Sequence, residues 1–201
     1  MQYRRTIAIL SLAVLAPAYV ARAEAPATQP VVRLQNFGTL VSFMNLGLGT
    51  VRVVVILEPS AESSEKAMGA VKSVLAANPS KRLRAYVVWS RVSATDTEMR
   101  ALTASTQVQD RRLVYLWDAE ARVANSYREV LNSRDAPATG VVLLYDTDAR
   151  LALAPPAPSL WMSVNPRLAG AALDATSLGA RANEMVRRVE AKVTNATQSK
   201  P

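Results

Sequence analysis

One stretch, residues 51–64 (VRVVVILEPSAESS), does most to decide what this chain can fold into. Residues 53–57 form an unbroken apolar and mostly β-branched run, with the length and composition of a strand buried on both faces. Pro59 and Ser60 then turn the chain. In the segment that follows, AESSEKAMGAVKSVLAAN, Ala67, Val71, Val74 and Leu75 recur on one helical face. Ser60 is expected to cap this helix, with Glu62 and Glu65 set in its first turn against the dipole. A central strand thus delivers a helix N-terminus to a surface, where backbone N–H groups and the positive dipole end can stabilise an anion or a thiolate. The side chains at this junction are Ser60, Ala61, Glu62, Ser63 and Ser64, so the architecture of a reactive site is present without its obvious reactive groups.

Composition sharpens that point. The chain has 201 residues, 50% of them hydrophobic, enough for one well-cored domain plus a targeting segment. It contains no cysteine and no histidine. Disulfides, thiol redox chemistry, Cys/His metal sites and any Ser-His-Asp or Cys-His catalysis from this chain alone are thereby excluded.

The N-terminus has Arg4 and Arg5, an apolar run over residues 7–20, and then Ala21-Arg22-Ala23. These are the parts of a secretory signal peptide with an A-x-A cleavage site, so residues 1–23 are expected to be removed and the mature chain to be periplasmic or secreted. A twin-arginine signal and an uncleaved anchor are alternative readings of the same residues, although the run is short for a full span. No later stretch is long enough to cross a membrane. Cleavage would remove Arg4, Arg5 and Arg22 from 24 basic groups and none of the 16 acidic ones, leaving a net charge of +5. The basic residues are dispersed or paired without interleaved aromatics, which argues against nucleic acid and for mild attraction to anionic envelope surfaces.

Along the chain, residues 24–35 read as a linker, 36–194 as one domain and 195–201 as a flexible tail. Phe37, Leu40, Val41 and Met44 predict a helix over residues 36–45, ended by Gly47 and Gly49. Residues 83–89 read as a second strand. Thr95 and Glu98 read as a capping box opening a short helix, and residues 113–117 as a third strand. Asp118 is placed to cap a helix carrying Val123, Tyr127, Val130 and Leu131. Residues 141–145 and 151–153, joined through Asp146-Thr147-Asp148, are the best hairpin candidate. Three prolines, 155, 156 and 158, make an irregular loop, residues 160–168 resist assignment, and Leu178, Ala182, Met185, Val186 and Val189 define a C-terminal helix. Strands alternating with helices imply a mixed α/β sheet, parallel at first with an antiparallel hairpin at its edge.

In that order of elements the chain resembles the thioredoxin-like fold. More narrowly, AYVVWSRVSATDTE, VYLWDAEARVANSY, GVVLLYDTDARL and PPAPSLWM are similar to segments of an uncharacterised group of secreted bacterial thioredoxin-like proteins. The shared features fall on Val87-Val88-Trp89, Asp96, Trp117-Asp118, Leu143-Leu144-Tyr145 and Trp161-Met162. The resemblance implies a P-x-C-x-x-C frame on Pro59, Ser60, Ala61, Glu62, Ser63 and Ser64, with Ala61 and Ser64 where the two cysteines would stand. Without those thiols there is neither a nucleophile nor a resolving group. Ser163 occupies a place where the relatives often carry histidine. A cis proline before the penultimate strand is a further mark of the fold, and Pro137 is its nearest candidate.

What remains is weighed residue by residue. Ser63-Ser64-Glu65-Lys66 contains S-x-x-K, in which lysine activates a serine in penicillin-recognising enzymes, and Ser163-Val164-Asn165 resembles their S-x-N element, but no K-T-G occurs. Asp110, Asp118, Asp146 and Asp148 could ligate a hard cation, yet they sit at separate turns where Asp is locally favoured. Trp89, Trp117 and Trp161 either line a groove beside the degenerate site or simply pack in the core and over an edge. The expected function is therefore binding of a protein or small molecule in the envelope through a crevice formed by residues 60–64, Trp89 and the loop 136–140. No cofactor and no metal are expected. The alternatives are a hydrolase-type enzyme using Ser63/Lys66 or carboxylates in the same crevice, and a paralogue of a thiol oxidoreductase without a specific ligand.

Overall fold

The structure is a computed structural model and describes residues 29–133, 136–152 and 154–198. The expected signal peptide and its cleavage site lie outside the described residues, as does the end of the tail.

The buried run extends further than its apolar core, and forms β2 (Val51–Leu57) at the centre of a seven-stranded sheet. The sheet order is β1 (Val31–Arg33), β4 (Leu113–Asp118), β3 (Leu83–Ser90), β2, β5 (Val141–Tyr145), β6 (Leu160–Ser163), β7 (Ala171–Ala172). The first four strands run parallel, β5 is antiparallel to β2, and β6 is antiparallel to β5. Two parallel crossovers pass through α2 (Ser63–Ala77) and α3 (Glu98–Ala104).

Both faces of the sheet are covered because successive side chains of each strand point to opposite sides. On the first face, Val53, Val55 and Leu57 of β2 meet Val87 and Trp89 of β3 beneath α2 and the long C-terminal helix α5 (Ala175–Gln198). On the second, Val54 and Ile56 meet Val88, Leu143 and Tyr145 beneath α1 (Phe37–Leu46) and α4 (Arg122–Ser126). Burying each aliphatic side chain contributes about 1.5–3 kcal/mol, and it is this double burial that makes the alternation of polar and apolar residues vanish from β2. The parallel pair β3-β2, the antiparallel strands β5 and β6, and α2 and α5 on one face constitute the thioredoxin-like fold that the element order implied.

Several expectations are corrected. Of the expected second hairpin strand, residues 151 and 152 are not strand and 153 lies outside the described residues; β5 pairs with β6 instead, in register Val142↔Met162 and Leu144↔Leu160, after a proline-rich excursion. Val31–Arg33, inside the stretch read as a linker, is an edge strand beside β4. The cap of α3 is Thr97, whose side chain accepts from the Arg100 N–H, and Glu98 pairs with Arg33 rather than closing a box with Thr95. The helix expected from Asp118 to Leu131 is α-helical only over Arg122–Ser126 and continues as turns. The helix α5 runs on to Gln198, through the first part of the expected tail. No described peptide bond is cis; Pro137 is trans, and the entry to β5 is made by Gly140 at φ +71°.

Candidate functional site

The turn between β2 and α2 is organised by a carboxylate from another loop. Asp96, 1% exposed, receives the Ser60 backbone N–H (3.1 Å) and hydroxyl (2.6 Å) on Oδ1. Its Oδ2 receives the Val92 and Ser93 N–H groups (3.1 and 2.8 Å) and the Ser93 hydroxyl (2.9 Å). Burial works to raise this carboxyl's pKa, but the hydrogen bonds from Ser60 and Ser93 outweigh it and hold the group below the ordinary aspartate range. Ser60 is therefore not the helix cap: Glu62 precedes α2 with helical dihedrals and no side-chain cap, while the Ser60 hydroxyl is committed to Asp96.

The two positions on which the resemblance would place cysteines differ. Ala61 is half-buried at the turn, its N–H donating to the Glu58 carbonyl at 3.2 Å. Ser64 is buried, and its hydroxyl donates to the same carbonyl at 2.7 Å. Ser63 is exposed on the first turn. Glu58, at the end of β2, is the hub: its carbonyl takes these bonds, and its carboxylate Oε1 accepts from the Thr139 hydroxyl at 2.5 Å.

That last bond joins the turn to the loop 136–140 across a crevice of about 330 Å³. Its walls include Glu58, Ala61, Ser63, Ser64, Pro137, Thr139, Gly140, Asn165 and Arg167. Gly140 stitches the floor together. Its N–H donates to the Ile56 carbonyl at 2.8 Å, and its own carbonyl accepts from the Val164 N–H (2.8 Å) and the Ser163 hydroxyl (3.0 Å). Ser163 is thus a buried structural donor, where relatives were expected to carry histidine.

The structure brings together only part of the expected site. Ala61, Ser63, Ser64 and Pro137 share the crevice. Pro59, Ser60 and Glu62 line a separate recess of about 240 Å³ on the other side of the turn, with Trp89 at its base. Trp89 is otherwise core, its indole N–H donating to the Ser105 hydroxyl at 2.9 Å. Trp117 is buried in the same cluster. Asp118 is buried and caps: Oδ1 accepts the Arg122 N–H at 3.0 Å and Oδ2 the Val123 N–H at 2.8 Å. Trp161 is half-buried beyond β5 and covers Gly170, where an added Cβ would lie 2.2 Å from its ring. Sequence reading missed Glu58 and Arg167, and named Thr139 only as part of the loop 136–140. A charged residue directly after a doubly buried strand was the available signal for Glu58.

Neither alternative chemistry finds its partners. Ser63 forms no hydrogen bond with Lys66, which is exposed and absent from the crevice walls. Asn165 does face the crevice, but the Ser163 hydroxyl beside it is spent on the Gly140 and Asn165 carbonyls. Asp110 pairs with Arg112, whose hydrogen bond holds that carboxyl below its ordinary range, and Asp146 accepts its neighbour's N–H. Among the described residues no group of three or more carboxylates gathers as a metal site.

No protein-family model matches the sequence, and no curated protein matches it. Among solved structures, the chain is similar to a secreted Mycobacterium tuberculosis disulfide oxidoreductase homologous to E. coli DsbE, at 14% identity over 70% of this chain and 85% of that one, with a TM-score of 0.45. It is also similar to a candidate thioredoxin from Neisseria meningitidis, at 11% identity over 70% and 77% of the two chains, with a TM-score of 0.46. Both likenesses are distant, and the fold stands on its own strand order.

Proposed function

We propose that this chain is a binding protein of the cell envelope that recognises a protein segment or small molecule in the crevice between the β2–α2 turn and the loop 136–140. A thioredoxin-like scaffold with no cysteine cannot perform thiol–disulfide exchange. The reading is carried by one observation: the turn that would hold the thiols is kept in place by Asp96, Ser64 and Glu58, and it still borders a crevice with convergent polar groups. The wall offers a carboxylate at Glu58, a cation at Arg167, the Asn165 amide and apolar surface at Val92, Pro137 and Val164. Such a set suits an occupant with an apolar body and separated polar ends. The N-terminal signal pattern supports location outside the cytoplasm.

A photoreactive residue placed at Ala61, compared with one at Lys72 on the outer side of α2, tests this in native envelope extract. A distinct adduct from position 61 alone is expected; identical adducts from both positions, or none, would remove the crevice from consideration. The frame is checked separately by the double change Ala61→Cys and Ser64→Cys. These thiols should form a reducible disulfide on mild oxidation, and thiols that stay free would show that the motif frame lies elsewhere.

A further inference from the structure

The two ends of the sheet carry different mixtures of charge. At the C-terminal ends of the parallel strands Glu58, Glu62, Glu65, Asp96 and Glu98 stand among Arg33, Lys66, Arg91 and Arg100, with Arg33 paired to Glu98. At the opposite end, Lys81 and Arg82 lie in the turn before β3, and Arg111 in the turn before β4. The two turns are adjacent, since the Arg112 guanidinium donates to the Asn78 carbonyl and the Ala85 N–H to the Arg112 carbonyl. Arg187 of α5 lies beside Ser80 in the same region. None of Lys81, Arg82, Arg111 and Arg187 forms an ion pair among the described residues. Of the acids on these elements, Asp110 pairs with Arg112, Glu190 accepts the Ser80 hydroxyl at 2.5 Å, and Glu184 pairs with Arg181 and Arg188 and is also drawn by the Arg187 charge. Asp146 and Asp148 stand across β2, beside the buried Arg52.

An apolar element accompanies the cations. Leu46, at the end of α1 and just before β2, is 83% exposed. The chain also enters the fold here, with Gln29 bound to Gln109 and Asp110, nine residues after the apolar run that ends at Val20. No aromatic ring is exposed among the described residues, so bases of a nucleic acid would find nothing to stack on.

We infer that this basic end docks on an anionic lipid surface, with Lys81, Arg82, Arg111 and Arg187 at the headgroups and Leu46 entering the interface, which leaves the crevice facing away from the bilayer. Unpaired cations and an exposed leucine at the same end of the sheet give the two contributions that peripheral attachment combines, electrostatic attraction and shallow apolar insertion. The inference is independent of what occupies the crevice.

The test is sedimentation of the chain from Glu24 onward with vesicles of phosphatidylcholine alone or containing phosphatidylglycerol. Binding is expected only to the anionic vesicles, and it should weaken as salt rises. The triple change Lys81→Gln, Arg82→Gln and Arg111→Gln should weaken it about a hundredfold, and Leu46→Ser should weaken it further at every salt concentration. A control losing equal charge at the other end, Lys66→Gln, Arg91→Gln and Arg100→Gln, should bind as the parent does. Equal binding to both vesicle types, equal loss in the control, no binding, or salt-sensitive binding to a DNA oligonucleotide in place of vesicles would each overturn the proposal. Unchanged thermal melting of the triple variant establishes that any loss is not unfolding.

Discussion

The two faces of the sheet solve the same problem with different chemistry. The first is closed by two long helices, α2 and α5, and its buried cluster is mostly carbon, its polar atoms being the Tyr115 hydroxyl on the Val108 carbonyl and the Trp indoles, with the Trp89 N–H on Ser105. The second is closed by the short helices α1 and α4 and by irregular chain, and there the interior holds Arg52 and the hydroxyls of Tyr86, Tyr127 and Tyr145. Arg52 is 0% exposed. Its guanidinium donates to the Met44 carbonyl at the end of α1 (3.1 Å) and to the Asp146 carbonyl after β5 (2.5 Å), while its Nε has no partner. Burial pulls its pKa down, opposed by the surrounding tyrosines and Asp148. A long amphipathic helix satisfies its own backbone and presents only side chains to a core. Short helices end inside the layer, and their free carbonyls must find donors.

That contrast can be broken most sharply at Arg52. Arg52→Ala should destabilise by about 4 kcal/mol in urea unfolding, combining a large cavity with stranded carbonyls. Arg52→Met, which keeps volume and removes the charge, should recover at least half of that loss; if it recovers none, the polar ties outweigh the packing. On the carbon face, Leu178→Ala should cost about 3 kcal/mol, through a cavity alone. Asp96→Asn extends the comparison to the strand ends, where a carboxylate ties loops together as Arg52 does on the second face, and it should cost about 2 kcal/mol. Because the folded Asp96 carboxyl lies below its ordinary value of 3.8, its contribution is full above that value and is lost as pH falls through the depressed one. The acid limb of the stability profile should therefore flatten in Asp96→Asn. The smallest effect, about 1 kcal/mol, is expected for Tyr145→Phe, whose hydroxyl lies 3.2 Å from both Tyr127 and the Pro156 carbonyl. Tyr127 is pushed up to about 12 by burial, so its contribution is full below the ordinary 10 and lost as pH rises towards 12. A double-mutant cycle over Arg52 and Tyr145 measures how far the two act as one network.

The carbon face was the legible one. Residues 53–57, Ala67, Val71, Val74 and Leu75, and the stripe from Leu178 to Val189 each follow a local period, and local periods survive into the structure. The second face was not, because its decisive contacts span long separations. Arg52 reads as the polar flank of an apolar run, and nothing beside it announces that Met44 and Asp146 will meet it. The partner of β5 was misplaced for the same reason: ALAPPAPSLWM offers two apolar segments, and only the length of the proline excursion makes the later one the strand. Likewise Val31–Arg33 pairs with a strand more than eighty residues away. At the crevice, the turn after β2 and the loop 136–140 were readable as its two walls, whereas Asp96 entered only through the resemblance. Its engagement with Ser60 depends on the β3–α3 loop folding back.

Ser64 gives the turn a constraint as well as a shape. Its hydroxyl now secures the Glu58 carbonyl, a bond worth about 1 kcal/mol that a thiol would make only weakly. Thiol chemistry at this turn would need cysteine at two positions, and the change at Ser64 would surrender that bond before or while any disulfide formed. A single Ser64→Cys change is therefore uphill: because the serine carries a structural duty, stability alone opposes a cysteine in its place.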